Sequence, residues 1–144
     1  MTIEPSILQR YSLFGGLLEE QIRMIFPFME KESYVPGEDI IVEGTPNGKI
    51  RFILEGRAAV LRNKIILSEF SEGDVFGEME VLDVMPSAAT IKALTHITLM
   101  SISNKSLRGI YKADAPAFAI IIMNLARDLS RRLRKMNERL TERD

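Results

Sequence analysis

Val35 to Val60 reads VPGEDIIVEGTPNGKIRFILEGRAAV. Short runs of β-prone residues are cut at Pro36-Gly37, at Pro46-Asn47-Gly48 and at Glu55-Gly56, where proline fixes φ and glycine supplies a positive φ. Alternation at Ile50, Phe52 and Leu54, and again at Ala59 and Leu61, turns one face of each strand inward. The pattern extends from Glu30 to Ile102, with further turn signals at Asn63-Lys64 and Glu72-Gly73-Asp74. Many short strands at close intervals predict an antiparallel β-roll, jelly-roll-like (a double-stranded β-helix), because that architecture shelters its sheet edges.

Helical spacing flanks this body, so the fold class is mainly β with N-terminal helices and a long C-terminal helix. A short helix is expected near residues 5–11, a break at Gly15 and Gly16, and a helix over about 18–28 carrying Leu18, Ile22 and Ile25. After Ile102, Ser103 caps a short helix to about Lys112, and Asp114 with Pro116 opens a long one. From Ala119 a heptad seam runs through Ile122, Ala126, Leu129, Leu133, Met136 and Leu140, flanked by Arg127, Arg131, Arg132, Arg134, Lys135 and Arg139. Up to about Leu125 the stripe is expected to pack on the chain's own body, and beyond Leu129 to pair with a second copy. Two parts are expected, 1–113 as the roll with its N-terminal helices and 114–144 as the dimerisation helix.

With 144 residues, 46% apolar, the chain suits one ordinary core. It has no cysteine, which removes disulfides, thiolate metal sites and a cysteine nucleophile, and fits a cytoplasmic setting. No apolar run approaches the roughly 20 residues that span a bilayer, so no membrane is expected. A formal net charge of −1 gives no global pull towards nucleic acid, and the basic residues of the last helix read as the solvated flanks of the seam. One histidine, His96, cannot build a metal site of several imidazoles, and no nucleophile with a neighbouring base emerges. Phosphate-binding glycine motifs of the Walker and dinucleotide kinds are missing. The expectation is of a protein that is not an enzyme, with no metal and no resident cofactor.

The order of elements, together with YSLFGGLLEEQI (11–22), the quoted hairpins, FSEGDVFGEMEVLDVMPSAATIKAL (70–94) and LARDLSRRLRKMNERL (125–140), resembles the cyclic nucleotide-binding domain family. That family includes the catabolite activator protein and the regulatory subunits of protein kinase A. The resemblance implies a regulatory sensor domain whose ligand, cAMP or cGMP, sits in the roll and acts on the C-terminal helix. It places the phosphate-binding cassette at Phe76, Gly77, Glu78 and Met79, continuing to Ser87 and Ala88, with Glu78 accepting from the ribose hydroxyl. Leu67 and Ser68 would lie beside the base, with Asn124 and Arg127 of the long helix closing over it. Transcription factors of this kind carry a DNA-binding domain after the long helix; this chain ends there, which suggests action through protein partners or a piece of a longer protein.

One departure matters. Where the family pattern has an arginine, ten residues after the cassette glycine, stands Ser87, and no Lys or Arg occurs between Lys64 and Lys92. Over that interval lie Glu69, Glu72, Asp74, Glu78, Glu80 and Asp83. Losing one partner of a buried charge pair costs about 2–5 kcal/mol, roughly 30- to 3000-fold in affinity. Arg57, Arg62, Lys92 and Arg127 are the cations that could come in from elsewhere. Three readings stay open: cyclic nucleotide binding with an altered phosphate contact, a less anionic ligand in the same cavity, or a vestigial pocket in a ligand-free dimerising module that binds a protein partner.

Overall fold

A computed structural model describes residues 3–142. They form two compact units, a β unit of Phe26–Gly109 and a helical unit from the described residues before and after it.

The β unit contains eight strands: β1 (Glu30–Tyr34), β2 (Asp39–Ile41), β3 (Lys49–Glu55), β4 (Ala58–Arg62), β5 (Ile65–Phe70), β6 (Val75–Phe76), β7 (Thr90–Ala93) and β8 (Ile97–Ser103). They pair antiparallel into two four-stranded sheets, ordered β1-β8-β3-β6 and β2-β7-β4-β5. This is the expected jelly-roll architecture, and every turn signal in the sequence falls between strands. The β4–β5 hairpin turns at Asn63 and Lys64, with φ of 52° and 65°, the two positive values a two-residue type I′ turn needs. Between the sheets a core of Ile41, Ile53, Phe76, Ile91, Ile97 and Leu99, with neighbours, draws on six of the eight strands.

Strand β3 departs from the expected alternation. Ile50 and Phe52 are buried, but so are Arg51 and Ile53, which alternate with them, so both faces of the strand are covered. Since Ile53 belongs to the core between the sheets and side chains alternate with period two, Arg51 shares the inward face with Ile53.

In the helical unit, Pro5–Arg10 and Ser12–Phe14 are 3-10 turns and α1 spans Glu19–Ile25. The expected helix to residue 28 is shorter because Pro27 lacks an N–H, and Phe26–Phe28 continues only as a 3-10 turn at the start of the β unit. Helix α2 (Glu78–Asp83) follows β6, and α3 (Asn104–Ala113) leads towards α4 (Ala115–Glu142). Both expected caps form: Ser106 N–H donates to Ser103 Oγ at 3.0 Å and Ala117 N–H to Asp114 Oδ1 at 3.0 Å. Within the helical unit α4 packs on the turn Ser12–Phe14, burying Ala117, Ile121 and Leu125. At 3.6 residues per turn that stripe lies about 100° from the heptad seam, which stays outside: Leu133, Met136 and Leu140 are exposed and Ile122 and Leu129 half-buried.

Asp114→Ala removes the side-chain acceptor at the head of α4 and is expected to lower stability by about 1 kcal/mol. Urea denaturation followed by circular dichroism measures it; an unchanged midpoint would show that the cap is idle.

Candidate functional site

The turn from β6 into α2 is built around Gly77, whose φ is +83°. A Cβ here would stand 2.7 Å from the Lys49 carbonyl oxygen and 2.8 Å from Asn47 Nδ2, so both dihedral and space call for glycine. The other side of this close approach is polar. Asn47 Nδ2 donates to the Gly77 carbonyl at 3.1 Å and to the Lys49 carbonyl at 3.0 Å, tying the loop before β3 to the turn. Glu78, in the first turn of α2, is 2% exposed, and Glu80 shares that turn, where carboxylates suit the helix dipole. Helix α2 ends at Val84, a β-branched residue at φ +57°, strained and open to solvent.

Ser87 follows in the loop before β7. Its N–H donates to the Thr45 carbonyl at 2.9 Å and its own carbonyl accepts from Gly44 N–H at 2.8 Å, fastening cassette to loop. Its hydroxyl is buried with no hydrogen-bond partner among the described residues. Ser87 is 3% exposed, so an orphaned hydroxyl there carries a desolvation cost that a suitable ligand atom could offset.

The charges distribute differently from their order along the chain. Lys92 bridges to Asp39 at 2.9 Å and Arg57 to Glu69 at 3.5 Å, both as surface pairs. The inward cation is Arg51, which the sequence reading passed over. Its Nε donates to Glu32 Oε1 at 3.1 Å and its Nη1 to Asn47 Oδ1 at 3.0 Å. The signal was present: a basic residue between Ile50 and Phe52, inside a run that is otherwise apolar from Ile50 to Leu54. Glu32 also accepts from Tyr34 Oη at 2.6 Å and from Lys49 Nζ at 3.4 Å. Burial alone would push the Glu32 carboxyl up; hydrogen bonds from Ser101 and Tyr34 and the Arg51 guanidinium more than reverse this and hold it at about 2. The same burial, with Glu32 as acceptor, pushes the Tyr34 phenol up to about 12.

A glycine-hinged turn into a short helix, a buried carboxylate in its first turn and two antiparallel sheets around them are now in place. The cyclic nucleotide-binding domain family model matches residues 31–114. The chain belongs to that family. A CRP-like cAMP-activated global transcriptional regulator of Mycobacterium tuberculosis is 26% identical over 141 residues, covering 94% of this chain and 61% of the relative. The chain thus spans less than two thirds of that relative's length. Among solved structures, a cyclic nucleotide-binding domain from Methylobacillus flagellatus superposes with TM-score 0.84 at 23% identity, covering 97% of this chain and 82% of the other. The Thermus thermophilus catabolite activator protein gives 0.79 at 23%, covering 90% and 62%. At these identities the superpositions establish the fold.

Within this cyclic nucleotide-binding domain the expected ligand residues fall into distinct surroundings. Gly77, Glu78 and Ser87 cluster around the turn and its loop, whereas Phe76 is buried in the core and stacks on Phe70 at 5.4 Å. Leu67 is exposed and sits at a bulge: Val60 pairs with Ser68 and Leu61 with Ile66, leaving Leu67 unpaired. Ser68, Met79 and Ala88 are exposed. Asn124 lies in the helical unit, where its amide donates to the carbonyls of Leu13 at 2.9 Å and Gly15 at 3.0 Å; Arg127, on the same helix, is exposed. Among the described residues no group of three His, Cys, Asp or Glu side chains could hold a metal ion, and no helix is long and apolar enough to cross a membrane.

The buried carboxylate sets an acid dependence. Since the folded Glu32 titrates at about 2 against an ordinary 4.5, the unfolded chain takes up the proton first as pH falls. Its contribution is therefore full above about pH 5 and lost on the way down to pH 2, and amounts to at most about 3 kcal/mol. Urea midpoints between pH 7 and pH 2 should fall more steeply for the wild type than for Glu32→Gln; parallel curves would remove Glu32 from the acid response.

Proposed function

We propose that this domain is a regulatory sensor that takes cAMP or cGMP at the cassette, with affinity lowered by the serine at position 87, and passes the event to helix α4. The observation that carries the reading is the Ser87 hydroxyl, buried and without a hydrogen-bond partner among the described residues, in a segment tied through Thr45 and Gly44 to the loop that also meets the turn at Gly77. A hydroxyl can donate one hydrogen bond to a phosphate oxygen but brings no charge, whereas a guanidinium brings a charge-assisted, bidentate contact. The same pocket with a neutral donor therefore retains recognition of the cyclic phosphate and loses strength.

Coupling to α4 requires that the ligand prefer one arrangement of the helices over another, since equal affinity for both shifts nothing. Family membership supports a regulatory role, and catalysis forms no part of this reading. It is of a cytoplasmic protein with no nucleic-acid contact of its own, and the division of labour is residues 1–113 for ligand and 114–144 for assembly.

Assembly rests on a separate observation, the exposed seam. Leu133, Met136 and Leu140 are each more than half exposed on a helix whose buried stripe ends at Leu125. Three large exposed apolar side chains at heptad spacing, flanked by arginines, fit pairing with a second copy along a seam that continues back through the half-buried Leu129 and Ile122 and through Ala126. Should no ligand bind, this seam still supports a dimerising module that engages a protein partner.

Calorimetric titration with cAMP and cGMP should give weak binding to the wild type and at least about tenfold tighter binding to Ser87→Arg, the return expected for a charge-assisted contact. Equal affinities would end the missing-cation account, and no heat with either nucleotide in either protein would end the ligand reading. Sedimentation equilibrium should report a dimer that Leu133→Glu converts to monomer, because two glutamates would face each other across the seam. An unchanged mass would show that the seam serves something else.

A further inference from the structure

We infer that Arg51 is a positioning residue for the cassette, acting through Asn47 on Gly77. The case rests on a continuous chain of hydrogen bonds inside the β unit. Glu32 on β1 accepts from Arg51 Nε at 3.1 Å; Arg51 Nη1 donates to Asn47 Oδ1 at 3.0 Å; Asn47 Nδ2 donates to the Gly77 carbonyl at 3.1 Å. The carboxamide has one acceptor and one donor end, and the guanidinium fixes which is which. A guanidinium has no acceptor, so it holds Oδ1 towards itself and leaves Nδ2 aimed at the turn. Lys49 reads the same orientation twice, its N–H on Oδ1 at 3.3 Å and its carbonyl under Nδ2 at 3.0 Å.

The relay also occupies the space behind the turn. Asn47 Nδ2 and the Lys49 carbonyl are the atoms a Cβ on Gly77 would strike, so the turn rests directly on the residues that Arg51 orders. Register keeps the arrangement compact, because Arg51 is the Cα partner of Phe76, the residue before Gly77, and of Ser101, whose side chain hydrogen-bonds Glu32. Arg51 is 8% exposed, and the Glu32 side chain 15%. Two largely desolvated partners with several hydrogen bonds between β1, β3 and β8 form a stiff anchor for the loop that carries Asn47.

The inference concerns the same site as the proposed function and rests on that reading only where ligand affinity is concerned. Its first readout is therefore in the ligand-free protein: amide hydrogen exchange at Gly77 and Glu78, followed by 15N-resolved NMR. Asn47→Ala removes both ends of the carboxamide; Asn47→Asp keeps an acceptor for Arg51 but has no donor for Gly77; Arg51→Lys keeps the charge but cannot span Glu32 and Asn47 as a planar fork. Exchange at Gly77 and Glu78 should rise about three- to tenfold in both Asn47 variants, the size of one lost hydrogen bond, and less in Arg51→Lys, while amides of β8 stay protected. cAMP affinity, measured on the same samples, should fall by a similar factor of about three to ten. Unchanged exchange at the two amides overturns the relay, as does unchanged affinity in variants of a wild type that binds cAMP. A wild type that binds neither cAMP nor cGMP ends the functional reading, and the relay then stands or falls on exchange alone. Should Arg51→Lys fail to fold, the loop variants, which leave the Arg51–Glu32 pair intact, still decide the matter.

Discussion

The constraint on which the candidate site depends is the close approach of two backbones at Gly77. A left-handed residue must connect β6 to α2, and the carbonyl of Lys49 leaves no room there for a side chain. Much of the local sequence follows from this. A carbonyl and a carboxamide must be brought up to the turn, which Lys49 at the start of β3 and Asn47 before it do, and the segment after α2 must return to that loop, which Ser87 does through Thr45 and Gly44. A cassette fastened on both sides is a rigid object, and rigidity is what recognition by fixed donors requires.

The price of that rigidity is a charged pair inside a β-roll. Arg51 and Glu32 sit on the inward face beside Ile53 and Leu99, where an apolar pair of similar volume would serve stability at least as well. What an apolar pair could not do is orient a carboxamide. The hydrogen bonds leaving the pair, to Asn47 on one side and to Tyr34 and Ser101 on the other, give it a directional role that burial of methyl groups lacks. Because Glu32 stays ionised down to about pH 2 and Tyr34 keeps its proton up to about 12, the arrangement holds one protonation state over the whole physiological range. It is an anchor and not a switch.

The architecture could be read from the sequence because it is written in local signals. Glycine and proline at the turns, the period of two between them and the caps at Ser103 and Asp114 each act over a few residues, and each recurs in the structure. Pro27 is the instructive exception: the apolar stripe around it has helical spacing, but the missing N–H takes precedence and the helix gives way to a 3-10 turn. The site was legible only in part. Gly77, Glu78 and Ser87 lie within ten residues of one another and were found together, while Arg51 is some twenty-five residues away and reaches the turn only through the sheet pairing of β3 with β6. A search along the chain for a cation near the cassette could not find one brought there by strand register. The heptad seam was legible as periodicity, but its separation from the buried stripe of α4 depends on which face the 3-10 turn Ser12–Phe14 covers, and that is a tertiary matter.

These observations change how the missing arginine should be understood. Along the chain the cassette looks uniformly acidic, yet Glu69 has a basic partner in Arg57, so the acidic excess is smaller by one charge than the sequence suggests. The inward cation is held elsewhere, since Arg51 Nε is bound to Glu32 and its Nη1 to Asn47. In the function proposed here, an anionic ligand would therefore meet neutral donors, the Ser87 hydroxyl and backbone N–H groups of the turn, held in place by a charged pair one hydrogen bond further back. Dipoles fixed by a rigid frame contribute less energy than a guanidinium, but they reorganise little when the ligand arrives, and their field depends less on salt than that of an exposed charge. Affinity in such a site depends on how firmly the frame holds the donors, which places the energetic weight on the residues behind the pocket as much as on those that line it.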